Sequence, residues 1–262
     1  MNPKIFTQNN YFFMLALDHR GSFIKLAKSE NEQKLIDYKF DIINSLVYQF
    51  SGVLIDANYG FKAYTLFNKD ILKPFLLPIE KSGFVDSKEG RLNELETNAS
   101  EIKEKGASGV KLLIYFNKKD KNAKKQIELA RVVSEQCKQD GAPLFLEIVH
   151  YGEAKDVLDT LTIFRQEGIT PAVYKLEYPG SEKSCKAITE FLEDTPWILL
   201  SRGVTFNEFY DQVYIAAKSG CSGFLAGRSL WQDLFELEGD KRKDFLSQEL
   251  PNRFKKLKEL FL

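Results

Sequence analysis

Eight short apolar runs, separated by stretches with the charge pattern of surface helices, constrain the fold of this chain more than any other feature. The runs are Phe12–Leu17, Gly52–Ala57, Phe75–Glu80, Gly109–Phe116, Pro143–Val149, Ala172–Glu177, Trp197–Ser201 and Gly223–Gly227. Between them the periodicity predicts helices over Glu32–Gln49, Asn93–Lys105, Ala123–Gln139, Ala154–Gln166, Ser184–Glu193 and Phe206–Lys218, with a shorter link at Phe61–Leu72. Gly106, Gly141, Gly168 and Gly220 stand just before the following strand, where a left-handed residue closes a helix. Eight such units over about 250 residues match a closed (β/α)8 TIM barrel. The expected class is therefore α/β, with residues 1–262 forming one barrel. An open, doubly wound sheet would want G-x-G-x-x-G after the first strand, and DHRGSF stands there instead. In the tail, Phe254, Leu257 and Phe261 share one helical face, which predicts a closing helix packed on the barrel.

Several function classes are excluded early. The chain carries 37 basic and 37 acidic residues, so no global field favours nucleic acid or an anionic membrane as a partner. The run YFFMLAL is too short to cross a bilayer, and Asp18 and Arg20 follow it at once. Cys137, Cys185 and Cys221 form no C-x-x-C pair and cannot all be bridged. The expectation is a reduced, cytoplasmic protein, and a homo-oligomer is compatible with it.

A barrel places functional groups at the carboxyl ends of its strands. Every strand here supplies polar residues at or near that end. Asp18 and Arg20 follow the first, Asp56 closes the second, and Glu80 and Lys81 close the third. Ser201, Arg202 and Gly203 follow the seventh, and Gly227 and Arg228 the eighth. Three strands also carry charge inside: Lys111, Glu147 and Lys175. In AVYKLEYPG the lysine interrupts what should be a continuous apolar run, and lysine is rarely buried without a partner. It could be neutralised by Glu177 two positions on, or be a desolvated amine whose lowered pKa makes it a nucleophile toward a carbonyl. By alternation Lys111 shares a face with Leu113 and Tyr115, and Glu147 with Phe145 and Val149. If both point inward, the three charges surround one cavity. A second ammonium would then lower the Lys175 pKa, and Glu147 would move protons.

Glycine turns after the last two strands are a recurrent phosphate site in barrels, and Arg228 adds a fork suited to phosphate oxygens. Metal chemistry has thinner support. His19 and His150 lack metal-site spacing, although magnesium at Asp18, Asp56 and Glu80 is an alternative. No cofactor and no metal are expected in the preferred reading.

LALDHRGSF, GVLIDANYG, GVKLLIYF, LFLEIVHYG, YKLEYPG, LLSRGVT and SGFLAGRSLWQD, in this order, resemble the strand-end motifs of class I aldolases of the tagatose 1,6-bisphosphate and sulfofructose-phosphate group. DHRGSF, PIEKSGF, SRG and NRFKKL are similar to the domain fused to 5-dehydro-2-deoxygluconokinase. The resemblance covers nearly the whole chain. It implies a lyase that cleaves a phosphorylated keto-sugar or keto-acid through a lysine Schiff base. The Schiff-base lysine falls on Lys175, the proton-transfer carboxyl on Glu147, the second lysine on Lys111 and the first-strand aspartate on Asp18. The phosphate loops fall on Ser201, Gly203, Gly227 and Arg228, with Arg20, Asp56, Lys81 and Arg202 as further substrate contacts expected from their strand-end positions. Most tagatose-group members have a small residue where Arg202 stands. The rival readings are a divalent-metal lyase or isomerase, and a non-catalytic sugar-phosphate-binding protein.

Overall fold

A computed structural model describes residues 2–152 and 156–262. A two-residue ribbon, β1 (Thr7–Gln8), pairs antiparallel with β2 (Tyr11–Leu17). From β2 the sheet runs in order through β3 (Gly52–Ile55), β4 (Phe75–Pro78), β5 (Gly109–Phe116), β6 (Leu144–His150), β7 (Val173–Leu176), β8 (Trp197–Leu200) and β9 (Gly223–Ala226). All eight pair in parallel, and β9 returns to β2, with Phe12 opposite Gly223 and Leu15 opposite Ala226. The sheet is therefore a closed (β/α)8 barrel. Gly223 is required at the closure: its φ is +142°, and a side chain there would run into the Phe12 backbone.

Strand alternation sorts the core into two bodies. One set of side chains, including Phe12, Met14, Leu54, Leu76, Phe145, Val173, Ile198 and Leu225, fills the barrel interior. The other set packs outward against the helices. The N-terminal turn Pro3–Phe6 inserts Phe6 into the first set, edge-on to Phe145 with ring centroids 5.1 Å apart. This plug closes the amino-terminal end of the barrel. Truncating a buried Phe of this kind typically costs about 3–5 kcal/mol.

The outer helices are α1 (Gly21–Ala27), α2 (Glu32–Leu46), α3 (Tyr59–Thr65), α4 (Ala99–Glu104), α5 (Ala123–Asp140), α6 (Val157–Gln166), α7 (Glu182–Leu192), α8 (Phe206–Lys218), α9 (Arg228–Trp231), α10 (Gly239–Asp244) and α11 (Leu250–Glu259). The expected closing helix is present, with Phe254 and Leu257 buried and Phe261 against Tyr11 and Phe13. Of the helix expected from Ala154, the first two residues lie outside the described residues. One expectation fails: the helix predicted from Asn93 begins at Ala99. Residues 93–96 stay out of the helix because their backbone bonds to the segment that follows β4, with Leu95 bridging Glu80. Lys81 N–H donates to the Glu94 carbonyl at 2.8 Å, and Glu96 N–H to Ile79 at 2.9 Å. Asn98 then caps the shorter helix by accepting from Glu101 N–H. No helix among the described residues is long and apolar enough to cross a membrane.

Candidate active site

At the carboxyl ends of the strands the interior opens into a cavity of about 360 Å³. Its depth is set by strand register. Glu147 on β6 lies directly opposite Lys175 on β7, and Lys111 on β5 sits one layer lower, opposite Phe145. All three point inward and line the cavity with Asp18 and Glu80.

The charges form one connected cluster. Lys175 Nζ donates to Glu147 Oε2 at 2.8 Å, and Lys111 Nζ lies 3.3 Å from the same oxygen. Lys111 also donates to Asp18 at 2.9 Å and to Glu80 at 2.6 Å. Although burial opposes its charge, these three carboxylates hold Lys111 well above the ordinary lysine range. It is a fixed cation. Burial raises Glu147, but Lys175 and Lys111 outweigh it and keep the carboxyl below its usual range. Asp18 follows the same logic, with burial opposed mainly by Lys111. Glu80 goes the other way: burial dominates and raises it, since one ammonium cannot neutralise three carboxylates. Its Oε2 has no hydrogen-bond partner among the described residues.

Glu177 does not neutralise Lys175. It accepts instead from the His150 backbone N–H at 2.6 Å and from Arg202, whose other Nη donates to the His150 carbonyl at 2.9 Å. Arg202, at φ +48°, thus sits on the cavity rim with its guanidinium already held. Beside it, Arg228 opens α9, and one Nη donates to the Arg202 carbonyl at 3.3 Å, while its Nε is buried without a partner among the described residues. Gly203, at φ +80°, lies against this guanidinium: a Cβ would come within 2.8 Å of Arg228 Cζ. Gly227 N–H faces Ser201 Oγ at 3.4 Å. Ser201, Arg202, Gly203, Gly227 and Arg228 therefore share one rim. Arg20 and Lys81 occupy the opposite rim, Arg20 bonded to Glu96 and the Glu80 carbonyl, Lys81 to Glu94 at 2.9 Å.

Asp56 is the exception, and its expected contact with substrate is corrected here. It is fully buried behind the barrel wall, paired with Lys39, and accepts from the backbone N–H groups of Asn58, Tyr59 and Gly60 at the start of α3. Every lone pair it could offer a ligand is used. The carboxylate set Asp18, Asp56 and Glu80 consequently does not converge, and among the described residues no three His, Cys, Asp or Glu side chains form a metal-binding group. The cavity also includes residues that the strand-end argument passed over, notably His19, Ser22, Ser82 and Tyr115.

A model of the DeoC/LacD family aldolases matches residues 12–233. The chain belongs to that family. It is a class I aldolase, a lyase of carbon–carbon bonds, as the strand-end motifs implied. Tagatose 1,6-diphosphate aldolase 1 of Streptococcus mutans serotype c is 28% identical over 272 residues, covering 87% of this chain and 83% of that protein. The tagatose 1,6-diphosphate aldolase of Staphylococcus aureus (strain bovine RF122) is 26% identical over 274 residues, covering 88% and 83%. Among solved structures, an archaeal fructose 1,6-bisphosphate aldolase superposes with a TM-score of 0.70 at 18% identity, covering 96% of both chains. Another archaeal fructose-1,6-bisphosphate aldolase, with its catalytic Lys bound to a carbinolamine intermediate, gives 0.67 at 18% identity, covering 98% and 96%. These structures share the barrel of this family member.

Proposed function

We propose that this aldolase cleaves a phosphorylated ketose, with Lys175 as the Schiff-base amine. The observation that carries the reading is a single contact: Lys175 Nζ lies 2.8 Å from Glu147, deep in a cavity whose rim holds Arg228 and two glycine turns. The amine in its neutral form adds to the ketone carbon, and the carbinolamine loses water to give an iminium. Glu147, kept ionised by its two lysines, takes the proton of the hydroxyl two carbons from the iminium carbon as the carbon–carbon bond breaks. The bonding electrons flow into the iminium, leaving an enamine on Lys175 and a free aldehyde. Protonation of the enamine and hydrolysis return the amine and release the second product. Lys111 supplies a permanent positive charge that holds Asp18 and Glu147 in place. Ser201, Gly203, Gly227 and Arg228 would hold a phosphate, consistent with the bisphosphate named for the sequence relatives. The three cysteines are free and buried, which supports work in a reducing cytoplasm.

The test is borohydride reduction in the presence of tagatose 1,6-bisphosphate, fructose 1,6-bisphosphate, sulfofructose 1-phosphate or 2-deoxy-5-keto-gluconate 6-phosphate, followed by peptide mass mapping. The reduced adduct is expected on Lys175 with at least one of them. An adduct on Lys111 alone, or turnover of one of them with no adduct on Lys175, would overturn the assignment.

A further inference from the structure

His19 lies in the cavity wall between the charged cluster and the phosphate rim, and no step above uses it. Its placement is tightly built. The ring stands edge-on to Trp231, with centroids 5.2 Å apart, and its Cε1 would be 2.9 Å from a Cβ at Gly227, so only glycine lets it in. The backbone carbonyl of His19 is fixed by Lys39 Nζ at 2.9 Å. Nδ1 is buried without a hydrogen-bond partner among the described residues, and its nearest anionic atom, Asp18 Oδ1, is 3.7 Å away, beyond hydrogen-bond reach. A buried polar atom left unpaired beside a reaction cavity is costly unless something bound there completes it.

Resting on the aldolase reading above, we propose that His19 is a member of the reaction site, one that hydrogen-bonds a hydroxyl of the bound ketose on the Asp18 side. The imidazole does this uncharged. Burial pushes its pKa down to about 4; Asp18 opposes this, whereas Arg228, Lys39 and Lys175 add to it. A neutral ring offers one donor and one acceptor, which suits a sugar hydroxyl that is itself both. An imidazolium would instead compete with Lys111 for Asp18 and repel the Arg228 rim. The role is therefore orientation of substrate by a polar but uncharged group, and a side chain that hydrogen-bonds without titrating should largely replace it.

Two substitutions separate this from a structural role. His19→Phe keeps an aromatic ring against Trp231 but removes both nitrogens; kcat/KM is expected to fall by roughly ten- to thirtyfold, the scale of one lost hydrogen bond to a bound ligand. His19→Gln keeps a donor and an acceptor and is expected to lose only about threefold. Full activity in His19→Phe would reduce the residue to packing and overturn the proposal. Equal, large losses in both variants, with thermal stability unchanged, would make it an obligatory proton carrier and overturn it equally. Borohydride trapping on Lys175 is measured in wild type and both variants. Absence of trapping in the turning-over wild type would instead condemn the Schiff-base assignment, whatever the variants do.

Discussion

Two buried lysine–carboxylate clusters lie within this barrel, and they differ in what is left over. In the first, Lys39 Nζ donates to the carbonyls of Leu17 at 2.7 Å and His19 at 2.9 Å and to Asp56, whose oxygens accept three backbone N–H groups as well. Donors and acceptors match, and both side chains are entirely hidden from solvent. In the second, Lys111, Lys175, Asp18, Glu80 and Glu147 share charges unequally, keep an unpaired Glu80 oxygen and open onto a cavity. The same residue types thus build a rivet in one place and an unsaturated, open cluster in the other. Saturation and access distinguish them; burial alone does not.

The sharpest way to break this contrast is to remove one lysine from each cluster. Lys175→Ala is expected to lower kcat by about ten-thousandfold, because the neighbouring amine, Lys111, is held as a cation by three carboxylates and is a poor nucleophile. Its fold should survive, since Glu147 still faces Lys111. Thermal denaturation alongside steady-state kinetics checks both halves. For Lys39→Met the emphasis reverses. It leaves Asp56 buried without its cation, and denaturant unfolding should show a loss of about 3–5 kcal/mol. Should Lys39→Met instead abolish turnover in a protein of unchanged stability, the two clusters would not be distinct in kind.

A smaller effect concerns acid. Asp18 and Glu147 have folded pKa values below their ordinary ones, so the stability they contribute is present above the unfolded carboxyl range and disappears as pH falls. His19 is held neutral, at about 4 against 6.5. Between those values the unfolded chain binds this proton and the native chain does not, so the contribution of His19 to stability declines as pH drops from 6.5 towards 4. Denaturant midpoints taken across that interval should fall steadily in wild type, and less steeply in His19→Gln. Equal slopes would mean that His19 does not carry its share of this acid sensitivity.

Much of the barrel was legible because its signals are local. Eight apolar runs fix eight strands. Alternation puts Lys111 on the face of Leu113 and Tyr115 and Glu147 on that of Phe145 and Val149, while the closed barrel decides that this face is the inner one. What escaped depends on distances across the sheet. Lys175 is answered by Glu147, 28 positions earlier, instead of Glu177, because parallel register puts Glu147 alongside it and Arg202 claims Glu177. Asp56 shows the limit of reading strand ends. An aspartate there looks the same whether it turns into the mouth or caps the next helix, and only α2, which brings Lys39, decides it. The late start of α4 has a similar origin. Asn93 has the local surroundings of a helix start, yet its side chain accepts from Tyr115 N–H and Gln126, contacts no local pattern could announce.

The Phe6 plug leaves the chamber open, among the described residues, at the carboxyl ends of the strands. With Phe6 and Phe145 packed into the far end, substrate and products share the mouth framed by Arg20 and Lys81 on one side and Arg228 on the other. Both fragments of a cleaved substrate therefore depart towards one face of the barrel, the face that also admits water.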